Sequence, residues 1–413
     1  MNLLSPSRYA SRGYPWDEWE RLRKEAPVKK IEREGEADYW AITRHEDIIA
    51  ISRDPNTFSS VNGGRIASKE DEISFPSKYQ LGPNIFGMDP PVHGQFRALA
   101  APSFGLQQLT TKQTVHRVCR QIFDAHASEE AMCFDVDFVR DVAVPVSVRT
   151  LAHALGFSES TAEILTINSN PKPALPDTES SVSRARHRLD QTDLLLDALV
   201  EEVELREQSP DRTDLISVLS KCEVNARPLD GPTLLSYCYT LAISGTETTR
   251  IVIGEIAKVF VEHPTQWGRL VENPGLIPTA VEELLRWISP VIHFARTVTR
   301  PTNLRGQSLA TGDWVALFYP SANRDERVFD TPEEFDVGRK PNRHLAFGGL
   351  GVHQCLGMHM ARLELNALLE FLVARVSAFS LTGDPKRRSG ILVGGYSHMP
   401  VRVHLQRQSR ELI

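Results

Sequence analysis

One cysteine, Cys355, lies in the glycine-rich stretch FGGLGVHQCLG, and a helical pattern of apolar residues begins directly after it, at Met358. The free N–H groups and positive dipole end of a helix N-terminus favour the thiolate form of such a cysteine. Glycines let a backbone approach a large flat partner, and the glycines here are Gly348, Gly349, Gly351 and Gly357. The stretch predicts a stabilised thiolate beside a flat group, with a buried structural cysteine as the alternative.

Zinc is a second alternative for this stretch, because His344, His353 and His359 lie with Cys355 within sixteen positions. Structural zinc sites pair their ligands at short, regular spacings, and no such pairs occur here. The spacing therefore argues against zinc.

A second stretch with unusual chemistry is SGTETT, residues 244–249, which interrupts an apolar helical pattern running from Leu234 towards Phe260. Glycine and threonine have poor helix propensity, and a threonine hydroxyl can bond back to a carbonyl three or four residues earlier. The stretch predicts a local kink or a widened turn. A bend satisfied by its own side chains is the alternative to a functional site.

Two pairs of polar residues have helical spacing. His93 and Arg97 lie four residues apart after a double proline, and Glu283 and Arg286 lie three apart, so each pair shares a helix face. Taken singly, either pair is compatible with a solvated surface.

Together, these features resemble the cytochrome P450 family, in which the cysteine of a glycine-rich loop is the axial thiolate ligand of haem iron. The resemblance rests on the cysteine loop and on the stretches MDPPVHGQFR, TLAISGTETT, ELLR and PVIHFARTV. Phe347 stands eight residues before Cys355, where the family commonly has seven, and Gly348 takes the usual phenylalanine position. This longer loop resembles a bacterial branch that oxidises steroids and branched lipids.

The resemblance implies a mainly α fold with small β-sheets, the cytochrome P450 fold, and a monooxygenase that inserts one atom of dioxygen into a C–H bond. It implies haem b as cofactor and NAD(P)H as the ultimate source of electrons. Cys355 is the expected metal ligand, while Glu247 and Thr248 are the expected catalytic pair that orients waters for proton delivery. The other residues expected to contact the cofactor or its dioxygen are His93, Arg97, Gly245, Arg296, Phe347, His353 and Gly357. The expected structural network that braces the cysteine loop consists of Glu283, Arg286 and Arg339.

The expected substrate is a mainly hydrophobic small molecule such as a terpenoid or a steroid. Helical spacing puts Tyr237, Leu241 and Ser244 on the same face as Thr248. The resemblance adds Val291, Ile292, His293, Phe294 and Val393 to the expected substrate pocket. Tyr237 or His293 is a candidate polar hook for the substrate, and each is equally compatible with a core residue whose hydrogen bonds are satisfied.

The chain shows no reductase segment, so the resemblance implies a separate ferredoxin and ferredoxin reductase as electron donors. Arg339, Lys340, Arg343 and Arg362 form a candidate basic face for an acidic donor. A non-catalytic haem sensor or carrier is the alternative function, and oxidation of a biosynthetic intermediate is an alternative reaction. The Glu247–Thr248 pair favours the enzyme, since a carrier needs no proton delivery, and it argues against a peroxide-driven enzyme.

The elements that carry these residues form one mainly helical domain, residues 1–413. Helical spacing dominates from Gln95 to about Leu285, Trp16 to Glu25 reads as a helix, and Tyr39 to Ile42 reads as a strand. Residues 43–46, TRHE, have the spacing of a capping box, residues 304–320 have hairpin chemistry, and a second β region is expected at residues 390–405.

Composition excludes several classes of protein. The net charge of −6 gives no reason to expect nucleic acid, and five cysteines without CxxC spacing indicate neither a disulfide framework nor a zinc ribbon. The N-terminal residues contain neither a secretory signal nor an apolar run long enough to span a bilayer. We expect a cytoplasmic monomer without a membrane anchor.

Overall fold

The computed structural model describes residues 3–66, 77–105, 108–126, 132–169, 181–209, 212, 214–224 and 227–406. This part of the chain is mainly helical with small β-sheets, as predicted from the sequence. Its α-helices are α1 Pro6–Arg12, α2 Trp16–Glu25, α3 His45–Arg53, α4 Val92–Gly105, α5 Gln108–His126, α6 Val144–Leu155, α7 Glu159–Ser169, α8 Ser181–Glu207, α9 Leu215–Ser220, α10 Gly231–Glu262, α11 Pro264–Glu272, α12 Ile277–Ile288, α13 Tyr319–Ala322 and α14 Met358–Arg375.

The strands in the same part of the chain are short. They are β1 Val28–Ile31, β2 Tyr39–Ile42, β3 Phe58–Ser59, β4 Cys133–Asp137, β5 Glu223–Val224, β6 Arg227–Pro228, β7 His293–Val298, β8 Thr302–Leu304, β9 Gln307–Leu309, β10 Trp314–Phe318, β11 Val376–Leu381, β12 Lys386–Arg387, β13 Tyr396–His398 and β14 Pro400–Leu405. Five of them form a sheet in the order β1-β2-β10-β7-β3, and three form a sheet in the order β11-β14-β4. The others form the pairs β5-β6, β8-β9 and β12-β13.

The five-stranded sheet joins strands of the first 60 residues to strands of residues 293–318. β10 pairs in parallel with β2, with Ala316 opposite Ala41, and antiparallel with β7, with Ala316 opposite Ala295. All three alanines are fully buried. β7 carries Arg296, so this sheet fixes one of the predicted cofactor contacts.

The long helix α10 passes through the centre of the fold. Its first half, with Leu234 and Ala242, packs among apolar residues of α6, α8 and α9. Its second half, with Ile253 and Phe260, packs among residues of α12, α14 and the strands of the three-stranded sheet. The polar SGTETT stretch lies at the junction of these two apolar clusters, and the helix assignment is uninterrupted across it.

The widened turn expected in α10 is found in a neighbouring segment instead. Residues Phe138–Ala143 form a π-helical turn, and a Cβ added at Gly254 of α10 would lie 3.0 Å from a methyl carbon of Val139 in that turn. Within α10, the hydroxyl of Thr246 donates to the carbonyl of Ala242 at 2.9 Å. The predicted back-bonding occurs without a break in the helix, so the expected widened turn was wrong for α10.

Local predictions about the first 60 residues were largely right. The predicted helix at Trp16–Glu25 and the strand at Tyr39–Ile42 are both present. The capping box at 43–46 is wrong, because Thr43 directs its hydroxyl to the carbonyl of Pro27. The N–H of His45 is instead satisfied by Asp325 at 3.0 Å, a residue 280 positions away in the chain.

The predicted β chemistry near the C-terminal end is also present. β8 and β9 form a hairpin whose turn residues Arg305 and Gly306 both have positive φ, which matches a type I′ turn. β13 and β14 account for much of the second predicted β region, while residues 390–395 contribute only an isolated bridge from Val393 to Val291. Within the described ranges, no helix combines the length and apolar composition that a membrane crossing requires.

Candidate active site

Cys355 lies three residues before α14, in a tight loop that the backbone holds in place. Its N–H donates to the carbonyl of Phe347 at 2.9 Å, and the N–H of Gln354 donates to the carbonyl of Gly351 at 3.1 Å. The side chain is open to a large internal cavity of about 1660 Å³, a volume that includes the cavity's mouth. The loop therefore presents the sulfur to the interior of the fold.

The environment of the sulfur differs from the sequence prediction in one respect. Burial raises the pKa of the Cys355 thiol, while the Gly357 N–H and the charges of Arg97 and Arg362 act to lower it. The Gly357 N–H at the start of the helix acts in the predicted direction, but burial outweighs it and the net shift of the pKa is upward. A coordinated metal cation deprotonates a thiol outright.

Two of the loop glycines are needed for packing against another helix, which differs from the predicted role. A Cβ at Gly351 would lie 1.8 Å from the carbonyl oxygen of Ser52 on α3, and a Cβ at Gly349 would lie 2.2 Å from the Ser52 hydroxyl. These glycines let α3 pack against the outside of the loop, so the prediction that they face a flat group was incomplete. Gly348 has a φ of +100°, which suits glycine, and Gly357 has no neighbour within 4 Å of its added Cβ.

One wall of the cavity is cationic. Arg97 of α4 donates to the carbonyl of Gln354 at 2.6 Å, and Arg296 of β7, which is 6% exposed, donates to the carbonyl of Ala295 at 2.7 Å. The rings of His93 and His353 lie 4.0 Å apart between their centroids. All four of these predicted residues line the cavity.

This cationic wall lacks an acidic partner in the described residues. Nε2 of His353 is buried without a hydrogen-bond partner, and the nearby Asp89 is committed to the hydroxyl of Ser59 at 2.5 Å and the N–H of Ser60 at 2.9 Å. Burial lowers the pKa of Arg296, a cost that an anionic ligand would offset. One wall of the cavity thus carries two arginines and two histidines, and the same cavity presents a cysteine. This arrangement fits haem, a large ligand that bears carboxylates.

α10 forms another wall of the cavity. Tyr237, Leu241 and Ser244 line it together with Thr248, as helical spacing predicted. The Thr248 hydroxyl donates to the carbonyl of Ser244 at 3.1 Å, so its proton is directed along the helix. Its oxygen lone pairs remain able to accept a hydrogen bond from a group in the cavity.

Gly245 also lines the cavity, but the space beside it is used by the protein. A Cβ at this position would lie 2.7 Å from a terminal methyl carbon of Leu151 on α6. The sequence reading assigned this room to dioxygen, whereas the structure shows that Gly245 first accommodates Leu151.

Glu247 does not line the cavity. Its carboxylate Oε1 accepts a hydrogen bond from Nη2 of Arg388 at 2.6 Å and lies 3.7 Å from Nη2 of Arg250. Burial acts to raise the pKa of Glu247, but the charges of Arg388 and Arg250 and the Arg388 hydrogen bond outweigh it and lower the pKa. The two residues of the predicted pair are therefore separated: Glu247 forms an ion pair with Arg388, and Thr248 lines the cavity.

Both candidate polar hooks are core residues with satisfied hydrogen bonds. The Tyr237 hydroxyl donates to the carbonyl of Phe96 at 2.8 Å. His293 is fully buried and does not line the cavity: Nε2 accepts from the N–H of Ile66 at 3.2 Å, and Nδ1 donates to the carbonyl of Ile391 at 3.0 Å. Burial lowers the pKa of His293 to about 4, so the ring is neutral. The prediction of a polar substrate contact was wrong for His293. The Tyr237 hydroxyl proton is committed to the Phe96 carbonyl and cannot be donated to a substrate.

The remaining predicted substrate contacts separate into two groups. Val291 and Phe294 line the cavity, whereas Ile292 is fully buried elsewhere and Val393 only pairs with Val291 through a backbone bridge. Sequence reasoning missed the cavity residues Ile85, Phe86, Phe104, Leu151 and Glu364. For Glu364 there was a signal, because it lies four residues from Met360 and from Leu368 on the apolar face of α14.

The predicted structural triad is brought together beneath the cysteine loop. Glu283 and Arg286 of α12 are fully buried, and two guanidinium nitrogens of Arg286 donate to the Glu283 carboxylate at 2.8 Å each. Nε of Arg339 donates to the same carboxylate at 3.2 Å, and Nδ2 of Asn342 donates at 3.0 Å. Arg286 also donates to the carbonyls of Asn323, Pro332 and Glu334. The network thus joins α12 to the segment that leads into the cysteine loop.

Comparison with known proteins shows which family these features belong to. The family model described as Cytochrome P450 matches residues 255–391, a range that contains the Glu283 network and the cysteine loop. Linalool 8-monooxygenase of Pseudomonas putida is 32% identical, and the alignment covers 95% of this chain and 96% of that protein. Steroid C26-monooxygenase of Mycobacterium tuberculosis is also 32% identical, over 97% of this chain and 96% of that protein.

Solved structures show the same similarity. A Mycobacterium marinum cytochrome P450 in complex with pseudoionone superimposes with a TM-score of 0.83 and 29% sequence identity. The superposition covers 97% of each chain.

Proposed function

The chain belongs to the cytochrome P450 family of haem monooxygenases, and from that premise we propose that it oxidises a hydrophobic terpenoid or steroid with electrons from a ferredoxin. The observation that carries the proposal is the cavity itself, which joins a cysteine, a cationic wall and an apolar wall in one space. Haem b, when bound, supplies the iron centre that activates dioxygen with electrons derived from NAD(P)H.

We assign the residues that hold the cofactor from the walls of this cavity. Cys355 is the metal ligand, and Arg97, Arg296, His93 and His353 receive the two carboxylates. The single unpartnered nitrogen of His353 and the buried charge of Arg296 are satisfied by such a ligand. The Glu283 network keeps the loop rigid from below.

The apolar part of the cavity supports the substrate class. Its lining includes Ile85, Phe86, Phe104, Leu241 and Phe294, and the Phe86 and Phe294 rings lie 5.8 Å apart between centroids. Burying a hydrophobic molecule against these side chains is favourable at about 25 cal/mol per Å² of apolar surface. Relatives named for linalool and steroid oxidation are consistent with such a guest.

The proton route that we propose is indirect. Thr248 accepts a hydrogen bond in the cavity, because its own proton is held by the Ser244 carbonyl. Glu247, one residue earlier, is ionised and held by Arg388 outside the cavity. Glu247 therefore acts through water on the outer side of α10, and Thr248 orients the last hydrogen bond on the inner side.

The proposed ferredoxin surface is smaller than the sequence indicated. Arg339 is committed to Glu283, and Arg362 donates to both carboxylate oxygens of Glu282, at 2.7 and 2.8 Å. Lys340 and Arg343 are exposed and remain as the cations able to meet an acidic donor. Charge reversal at Lys340 and Arg343 is expected to slow reduction by ferredoxin and to weaken its dependence on salt.

The decisive experiment uses the holoprotein. Carbon monoxide should give the reduced protein a red-shifted Soret band, and Cys355→Ala should abolish that band while Cys133→Ala retains it. Turnover with ferredoxin, its reductase and isotopically labelled dioxygen should place one labelled oxygen atom in a terpenoid or steroid product. If the protein shows the band but incorporates no label with any member of such a panel, the proposed oxidation of a terpenoid or steroid fails.

A further inference from the structure

The α10 wall of the cavity carries hydroxyl groups on five residues, and three of these groups already donate to backbone carbonyls. The Thr240 hydroxyl donates to the carbonyl of Ser236 at 2.8 Å and accepts from Nδ2 of Asn84 at 3.1 Å. The hydroxyls of Tyr237 and Thr248 each donate to a backbone carbonyl. A hydroxyl whose proton is committed in this way cannot donate to a guest.

Ser244 is different from these residues. It lines the cavity, is half-buried, and its hydroxyl makes no hydrogen bond within the described part of the chain. Thr246 and Thr248 on the same helix bond back to carbonyls four residues earlier, and the Ser244 hydroxyl does not. It therefore retains both its donor and its acceptor capacity for a group in the cavity.

The other uncommitted polar groups lie elsewhere around the cavity. Thr249 also lines it without a hydrogen bond, but the residue is only 6% exposed. Tyr319 lies near Arg296 of the cationic wall, whose charge acts to lower the pKa of the tyrosine. Glu364 belongs to α14, where burial raises its pKa well above the usual carboxyl range. On the face that Ser244 shares with Leu241 and Thr248, no other free hydroxyl occurs among the described residues.

Apolar side chains make up much of the lining of the cavity that Ser244 shares. Leu241 lies one turn before it on α10, and Leu151, Phe104 and Phe294 contribute to the same cavity. A ligand oxygen that enters an apolar site without a partner loses the hydrogen bonds that it made with water. Ser244 can replace such a bond for an alcohol or a ketone, since a hydroxyl both donates and accepts.

Resting on the proposed function, we propose that Ser244 is a specificity-determining residue that anchors the single oxygen function of an otherwise hydrophobic substrate. The ligand class is thus an oxygenated terpenoid or steroid, an alcohol or a ketone, in preference to a pure hydrocarbon. Ser244 lies four residues before Thr248, about 6 Å along the helix axis, so the anchor is close to the site of proton delivery.

The test compares ligands that differ only in the oxygen. Linalool and a steroid alcohol are each paired with the hydrocarbon of the same skeleton, and dissociation constants are measured from the spin-state change of the oxidised holoprotein. Ser244→Ala is expected to weaken binding of the oxygenated member by about two- to tenfold, the range for one hydrogen bond, and to change hydrocarbon binding by less than about twofold. Ser244→Thr, which keeps a hydroxyl, should retain the preference.

Thr240→Val supplies the matched control, because it removes a cavity hydroxyl that is already committed within the protein. It should shift both members of each ligand pair by the same factor. The anchor is overturned if Ser244→Ala weakens both members equally, if it changes neither, or if the wild type never prefers an oxygenated ligand. The red-shifted carbon monoxide band and the labelled oxygen test the proposed function separately, so either idea can fail alone.

Discussion

Arg388, just after strand β12, holds Glu247 of the central helix α10: its Nη2 donates to Glu247 Oε1 at 2.6 Å. The two residues are 141 positions apart, and the contact ties the C-terminal β segment to the helix that lines the cavity. The N–H of Arg388 also donates to the carbonyl of Gly395 at 3.0 Å, which fixes the arginine within its own segment. The carboxylate is thus anchored by a rigid partner.

Arg388→Gln is expected to raise the pKa of Glu247, because burial then acts against a weaker positive field. With Arg388 present, the lowered pKa of Glu247 adds stability above the ordinary carboxyl pKa, and that stability is lost as pH falls through the folded value. The variant should lose about 1–2 kcal/mol near neutral pH, and the acid limb of its activity profile should move to higher pH. Denaturant unfolding and turnover over a pH series measure both effects.

Arg402→Gln is the control for that variant. Arg402 pairs with Asp135 through side chains that are about half exposed, so its loss should cost much less stability than the loss of Arg388. Equal losses in the two variants, with no shift of the acid limb, would contradict the role assigned to Arg388.

Removing a charge from the Glu283 network is expected to destabilise the protein far more than removing one from a surface ion pair. Glu283→Gln leaves Arg286 and Arg339 without their negative partner, which should cost about 3–5 kcal/mol because Arg286 is fully buried. Release of haem should also become faster, since the network supports the cysteine loop. Urea unfolding and haem transfer to an apo-acceptor test these outcomes.

Glu262→Gln provides the comparison for the network. Glu262 pairs with Lys258 on the outer side of α10 and is half exposed, so a change within about 0.5 kcal/mol is expected. A Glu283→Gln protein as stable as Glu262→Gln would show that the network is not structural.

Gly351→Ala is expected to displace the cysteine loop. The new Cβ would lie 1.8 Å from the carbonyl oxygen of Ser52, and backbone cannot move aside as a flexible side chain can. Overpacking of this kind costs about 1–3 kcal/mol, and the spectrum of the holoprotein should broaden as the sulfur position becomes less defined. Gly268→Ala in α11, with nothing within 4 Å, should be neutral or stabilising by up to about 1 kcal/mol. The same sign in both variants would refute the packing argument.

Glu364 is expected to make the protein less stable at higher pH. Burial raises its pKa well above the usual range, so the folded state keeps a proton that the unfolded chain releases. Its contribution is therefore lost as pH rises from the ordinary carboxyl pKa towards the folded value, at up to about 1.4 kcal/mol per pH unit. Glu364→Gln should remove this slope, which unfolding between about pH 5 and about pH 8 would show. Parallel stability curves for the two proteins would contradict the protonated state.

Local spacing was sufficient for several parts of the site. A helical period of 3.6 residues put Tyr237, Leu241, Ser244 and Thr248 on one face, and all four line the cavity. The three-residue spacing of Glu283 and Arg286 likewise predicted that they share a helix face, and the two side chains are hydrogen-bonded. The same period could have corrected one error, because adjacent helix positions point about 100° apart, and Glu247 and Thr248 do not share a face.

The sequence by itself therefore determined the family, the cysteine loop before α14 and the residues that share a face within each helix. Only the tertiary structure decided what each face meets: Asp325 caps α3, Ser52 packs against Gly351, Leu151 fills the space at Gly245 and Arg388 holds Glu247. The physical reason is range. Periodicity and propensity act over a few residues, whereas these partners come from elements tens to hundreds of positions away, and packing alone brings them together.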